Sequence, residues 1–199
     1  MSGDVHVRFC ESLRGRFPRA TRLVCAFQYQ EDAERFYEVL GKRLGEFNLS
    51  LAEEKTRIIR FSCFHMEDKT SFEFLGFEFR WVRNRYGRPQ LKRRTSRKKY
   101  RNSLKVFTEW CIKNRNMRIT ALFFKLNSKL KGYYNYYGVS GNYDSLKSFF
   151  YQAMKILFKW LNRRSQRKSY TWSGFNELLK HFSIARPRIT EKKFQNKYA

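Results

Sequence analysis

The side chains best placed to act on another molecule are lysines and arginines one helical turn apart, with tyrosines among them. Arg97, Arg101 and Lys105 recur at four-residue steps with Arg94 three places ahead; Lys125 and Lys129 repeat the step, and so do Lys155, Lys159 and Arg163, which Arg164 and Arg167 follow. Positions three or four apart share one face of an α-helix. Each set is therefore a row of cations, the arrangement that grips phosphates. Tyr133, Tyr134, Tyr136 and Tyr137 lie close by, in the run G-Y-Y-N-Y-Y-G. Tyr133 and Tyr137 continue the apolar stripe of Leu122, Leu126 and Leu130 and are expected to pack inward. Tyr134 and Tyr136 are expected to face out, where aromatic rings stack on unpaired RNA bases. Catalysis has no comparable signature, because the Ser, His and Glu residues form no triad or acid pair at a readable spacing. Cys10, Cys25, Cys63 and Cys111 are scattered without C-x-x-C pairs, so no zinc site is expected, and Cys63 near His65 is read as an ordinary thiol.

Charge agrees with this reading. The chain carries 43 Lys+Arg against 17 Asp+Glu in 199 residues, a formal charge of +26. Residues 1–80 hold 13 basic and 13 acidic side chains, and residues 81–199 hold 30 and 4, so the whole excess belongs to the second part. The asymmetry predicts a near-neutral segment followed by one that contacts phosphates, with the change near Trp81. No apolar run is long enough to span a membrane and no signal peptide opens the chain, so a cytoplasmic protein without a membrane partner is expected.

The elements that must hold these residues follow from periodicity. Residues 1–22 lack it and are expected to form no regular element. Residues 23–29 read as a buried strand, and 30–47 as a helix opened by Glu31, Asp32 and Glu34 with Ala33, Phe36, Tyr37, Leu40 and Leu44 on one face. A second strand is expected around 58–61 and a third over 72–79, kinked at Gly76. After a turn at 84–89 come the basic run 92–99 and three longer helices. The first sets Tyr100, Leu104, Phe107 and Cys111 on one face and Arg94, Arg97, Arg101 and Lys105 on another. The second ends at Gly138, expected as a left-handed cap. The third starts at Asp144 as its N-cap and turns Phe149, Phe150, Ala153, Leu157 and Leu161 inward. A short last helix begins near Thr171, and Pro187 closes the ordered part. The fold class expected is α+β.

Several stretches resemble a known family. Gly132-Tyr133-Tyr134-Asn135-Tyr136-Tyr137-Gly138, Trp160-Leu161-Asn162-Arg163-Arg164-Ser165-Gln166 and Ser169-Tyr170-Thr171-Trp172 look like the maturase-specific region of bacterial group II intron reverse transcriptases. Cys25-Ala26-Phe27-Gln28-Tyr29, Glu54-Lys55-Thr56 and Phe74-Leu75-Gly76-Phe77 resemble the last blocks of the same family's polymerase palm. Order and spacing agree from about Leu23 to Ile189. The resemblance implies a non-family segment at 1–22, the end of a palm at 23–91, thumb helices at 92–140, the maturase domain X at 141–190 and a tail at 191–199, with the family's maturase-specific region at roughly 97–176. It also implies intron RNA as partner and assistance to splicing as function.

One departure bears on activity. Where the family has Tyr-Ala-Asp-Asp, whose aspartates hold catalytic Mg²⁺, this chain reads Arg19-Ala20-Thr21-Arg22. Arginines repel the cations that two-metal phosphoryl transfer needs. Read one base out of frame, codons for Tyr-Ala-Asp yield Ala-Thr-Arg, which suggests a frameshifted remnant. The expectation is therefore a non-enzymatic fragment without a cofactor, Mg²⁺ belonging to an intact relative or to the RNA. Arg94, Arg97, Arg101, Lys105, Lys125, Lys129, Lys159, Arg163, Arg164 and Arg167 are its expected phosphate contacts. Two alternatives stay open: the thumb-supplying half of a split reverse transcriptase completed by an upstream fragment, and a decayed remnant without function.

Overall fold

The computed structural model describes residues 6–10, 13–14, 23–51, 56–64, 66, 70–164 and 169–191. The chain divides into two compact units, one of residues 1–75 and 79–92, the other of 76–78 and 93–199. Among the described residues there are five helices together with small antiparallel sheets, an α+β architecture.

In the first unit, β1 (His6–Cys10) is the middle strand of a three-stranded antiparallel sheet, with β3 (Leu23–Phe27) on one side and β5 (Thr56–Arg60) on the other. The register sets His6 opposite Phe27 and Arg60, and Cys10 opposite Leu23 and Thr56. A shorter pair joins β2 (Leu13–Arg14) to β4 (Ser50–Leu51). The expectation of no regular element before residue 23 is thus corrected. The alternation in H-V-R-F-C was the signal, too short to stand out among arginines. Helix α1 (Gln30–Glu46) opens with Glu31 and Asp32 in its first turn, where carboxylates oppose the helix dipole. Its end is fixed by Asn48 in the left-handed region at φ 55°, which lets the Leu49 N–H reach back to the Leu44 carbonyl at 3.0 Å.

The strand expected over 72–79 is two strands, β6 (Ser71–Phe74) and β7 (Phe77–Arg83), and β7 pairs in turn with β8 (Pro89–Thr95). Leu75 and Gly76 join the first two with positive φ at both positions, 48° and 83°. Two consecutive left-handed residues make the tight turn whose twist suits a hairpin. Its usual Asn-Gly signal is absent, which is why the sequence suggests a kink. Phe61 and Phe72 form the buried centre of this unit, their rings 4.7 Å apart, and Phe79 stacks on Phe72 at 4.9 Å.

The second unit is built on α2 (Arg97–Asn114), α3 (Ile119–Tyr137), α4 (Tyr143–Leu161) and α5 (Trp172–His181). One core serves all four: Phe107 and Cys111 from α2, Leu126 and Leu130 from α3, Phe149 and Leu157 from α4 and Phe175 from α5. The sequence division at residue 140 is therefore not a division of the core. Burial pushes the Cys111 thiol up to about 12, with Lys129 pulling weakly the other way, so it is an inert apolar contact.

Helix α3 is buried on two flanks. Leu122, Leu126, Leu130 and Tyr137 are buried as the periodicity predicts, and the Tyr133 ring stacks on Phe149 at 3.8 Å. The second flank is covered by residues 182–191, which run back along the helix. Asn127 donates to the Phe182 carbonyl at 3.2 Å and accepts from the Ala185 N–H at 2.7 Å; Thr190 Oγ1 donates to the Tyr134 carbonyl at 3.0 Å; the Thr190 and Glu191 N–H groups donate to the Gly138 carbonyl at 2.8 and 3.0 Å. Pro187 lies inside this return segment and does not end the packed chain. Gly138 has φ −77°, so it is not the expected left-handed cap. It is glycine for space, because a Cβ there would run into the Tyr134 carbonyl of α3 itself and would stand 2.6 Å from Thr190 Oγ1 and 2.9 Å from the Arg188 carbonyl. Among the described residues, no helix is long and apolar enough to cross a membrane.

Candidate nucleic-acid interface

Thr95, Ser96 and Asn142 set the geometry of the basic surface. Ser96 caps α2, accepting from the Lys99 N–H at 3.4 Å, while its own N–H donates to the Gly76 carbonyl at 2.9 Å. Asn142 is fully buried. Its Oδ1 accepts from the Thr95 N–H at 2.9 Å, and its Nδ2 donates to Thr95 Oγ1 at 2.9 Å and to the Tyr137 carbonyl at 2.8 Å. A single side chain thus joins the end of β8, the end of α3 and the start of α4. Helix α4 accordingly begins after Asn142, two residues before the expected cap at Asp144.

A surface groove of about 370 Å³ lies over this knot, lined by Arg94, Thr95, Arg97, Tyr100, Arg101, Asp144, Ser145 and Ser148. Arg97 and Arg101 come one turn apart from the first turns of α2. Arg94 comes from β8 rather than from a helix, which corrects its expected place. Its Nε donates to Glu78 Oε2 at 3.0 Å, so the guanidinium is held in a fixed direction with its other N–H groups available. The Tyr100 hydroxyl and Ser148 Oγ are 2.8 Å apart on the wall. The first turns of α2 and α4 both border the groove, and helix N-termini add partial positive charge. Against the three arginines stand two carboxylates, Asp144 in the lining and Glu78 paired with Arg94. Guanidinium groups grouped in this way have the chemistry to bind an anion of phosphate size through charge-assisted bonds.

No protein-family profile matches this chain, and no curated protein matches it significantly.

The other expected contacts fall elsewhere. Lys105 is exposed one turn beyond Arg101 on α2, and Lys125 is exposed on α3. Lys129 is half-buried with its ammonium 5.8 Å from the Trp110 ring, at a second, smaller cavity of about 230 Å³. Lys159 and Arg163 are exposed at the far end of α4, where the Arg163 guanidinium lies 5.0 Å from the Trp160 ring. Arg164 is half-buried and donates to the Met117 carbonyl, so it ties the α2–α3 connection and is engaged in the fold. Arg167 lies outside the described residues, as do Arg19 to Arg22, Lys55 and His65. Among the described residues, no cluster of three His, Cys, Asp or Glu has the arrangement of a metal site.

Of the two outward tyrosines, Tyr136 is 53% exposed and Tyr134 is 1% exposed. The second is a correction. The return segment covers the Tyr134 flank, and its hydroxyl donates to the Ala185 carbonyl at 3.3 Å. Burial also raises its pKa, as it does for Tyr133 and Tyr137. Sequence reasoning missed Asn142, Ser145 and Ser148. The Thr95-Ser96 pair ahead of a basic helix was a readable capping signal, whereas a buried Asn between two helices leaves none.

Proposed function

We propose that this chain is the RNA-binding C-terminal fragment of a group II intron maturase. It binds intron RNA and favours the fold in which that RNA splices itself, and it does not copy RNA. In this reading, residues 23–91 correspond to the end of a reverse-transcriptase palm, 92–140 to the thumb and 141–190 to domain X. The observation that carries the reading is the groove where Arg94, Arg97 and Arg101 meet beside two helix N-termini. Flexible surface lysines follow any polyanion. Arg94 oriented by Glu78, and Arg97 and Arg101 rising from a helix start that the buried Thr95–Asn142 knot anchors, present guanidinium groups from set backbone positions, and that is what recognition of a folded RNA requires. The excess of basic residues after Trp81 supplies the surrounding field. The same order of sequence blocks from Leu23 to Ile189 points to the intron as the RNA.

The test is binding of the purified chain to the group II intron RNA nearest its gene and to an unrelated structured RNA of equal length, over a salt series. The expected result is a preference for the intron that persists as salt rises, with Arg97→Gln plus Arg101→Gln lowering affinity and reducing the salt slope by roughly 0.7–0.9 per lost phosphate contact. Equal binding of both RNAs that collapses together with salt, or an unchanged slope in the double variant, would overturn the reading.

A further inference from the structure

The outer face of α4 carries a second pattern, separate from the groove. Tyr143, Lys147, Tyr151, Lys155 and Lys159 succeed one another along the helix at strict four-residue steps, Arg163 follows in the turn just past its end, and all six are exposed. The two tyrosines are large rings left 48% and 54% open to solvent on a helix whose inward face is packed. Lys155 holds its ammonium 4.3 Å from the Tyr151 ring centroid, which covers part of that ring and orients it. Asp144 is the only acidic side chain on this helix.

Resting on the RNA-binding reading, we infer that this row is a track for an unpaired RNA strand, with Tyr143 and Tyr151 stacking on bases and the four cations contacting phosphates. Three features select that ligand. Aromatic rings interleaved with cations are the composition of single-strand sites, since every base offers a π-face and every nucleotide a charge. The step along the row is about 6 Å, wider than the ~3.4 Å rise per base of a stacked strand, so the row suits bases drawn apart. The row also winds about 40° around the helix at each step; a flexible strand follows such a path and a stiff duplex does not. An acidic protein segment would use the lysines and gain little from the rings.

The experiment measures binding of a short oligouridylate, an RNA duplex and polyglutamate by fluorescence anisotropy. The proteins are the parent chain, the Tyr143→Ala/Tyr151→Ala pair and the Tyr143→Phe/Tyr151→Phe pair, each checked for melting temperature. Base–aromatic stacking sets the expected loss at about 5-fold or more per ring. The alanine pair therefore binds oligouridylate at least ~25-fold more weakly, the phenylalanine pair binds like the parent, and duplex binding stays within about 2-fold. If alanine lowers stability, leucine at both positions keeps the bulk and removes the ring. Equal losses for alanine and phenylalanine, equal losses on duplex and single strand, no loss at all, or polyglutamate binding with the same tyrosine dependence would each overturn the inference. The intron plays no part in this assay, so a stacking effect without intron preference refutes the maturase reading alone, and the reverse result refutes this one alone.

Discussion

Replacing Asn142 with alanine removes three hydrogen bonds at once, and each can be priced from its surroundings. Loss of the bonds to Thr95 Oγ1 and to the Tyr137 carbonyl costs about 1 kcal/mol apiece. The Tyr137 carbonyl keeps a second donor, the Val139 N–H at 2.8 Å, so nothing is added there. The Thr95 N–H is different. Thr95 is 4% exposed, and its amide would be left buried without an acceptor, which raises the cost of that bond to about 2–3 kcal/mol. The sum is about 4–5 kcal/mol, or a fall in Tm of roughly 10–20 °C for a chain of this size. Urea unfolding followed by tryptophan fluorescence measures it, with exposed Asn135→Ala as a control that changes stability by less than about 0.5 kcal/mol. Thr95→Val removes one of the same bonds, so combining it with Asn142→Ala costs less than the separate losses together. A loss below about 1 kcal/mol for Asn142→Ala, or strict additivity with Thr95→Val, would refute the idea that this side chain holds the floor of the arginine groove.

Two further outcomes test the return segment. Gly138→Ala places a Cβ against the Tyr134 carbonyl of α3 as well as Thr190 Oγ1 and the Arg188 carbonyl and is expected to cost about 1–3 kcal/mol, with faster limited proteolysis near residues 184–191; unchanged proteolysis there would show that the return segment yields without penalty. Glu191 accepts from the Ser140 N–H and from Arg93, each at 2.7 Å, and these two contacts hold its carboxyl below the usual carboxylate range. A lowered folded-state pKa gives stability that is present above the ordinary carboxylate value and lost as pH falls through the folded value. The gap in Tm between the parent and Glu191→Gln is therefore expected to be full near neutrality and to close in acid, and a gap that widens on acidification would refute the contact's role.

The helices were legible because their buried faces repeat every three or four residues. Phe107 and Cys111, Leu122 to Leu130, and Phe149 to Leu161 stand where the periodicity puts them. Arg97, Arg101, Lys105 and Lys125 were legible as exposed cations for the same reason. What was not legible depends on segments distant in the chain. Tyr134 has the helical position of an outward residue until residues 182–191 cover it. Arg94 looks like one more cation of α2 until β8 and Glu78 take it. The turn at Leu75–Gly76 departs from the usual residue choice, so local propensity pointed to a single strand. Short β1 shows that pairing on both sides can fix five residues whose own pattern is weak.

The hairpin turn at Leu75–Gly76 has a consequence for anyone dissecting the gene. Gly76 to Glu78 belong to the helical unit although fourteen residues of the other unit, 79–92, follow them. The Gly76 carbonyl receives the Ser96 N–H, Phe77 lies 5.4 Å from the Tyr137 ring, and Glu78 holds Arg94. No single cut between codons therefore yields the helical unit free of residues from the other unit. An expression boundary placed at residue 93, in the basic run that leads into α2, would deliver a protein lacking one acceptor, one ring and one counter-charge. A clone starting ahead of β6 would retain all three.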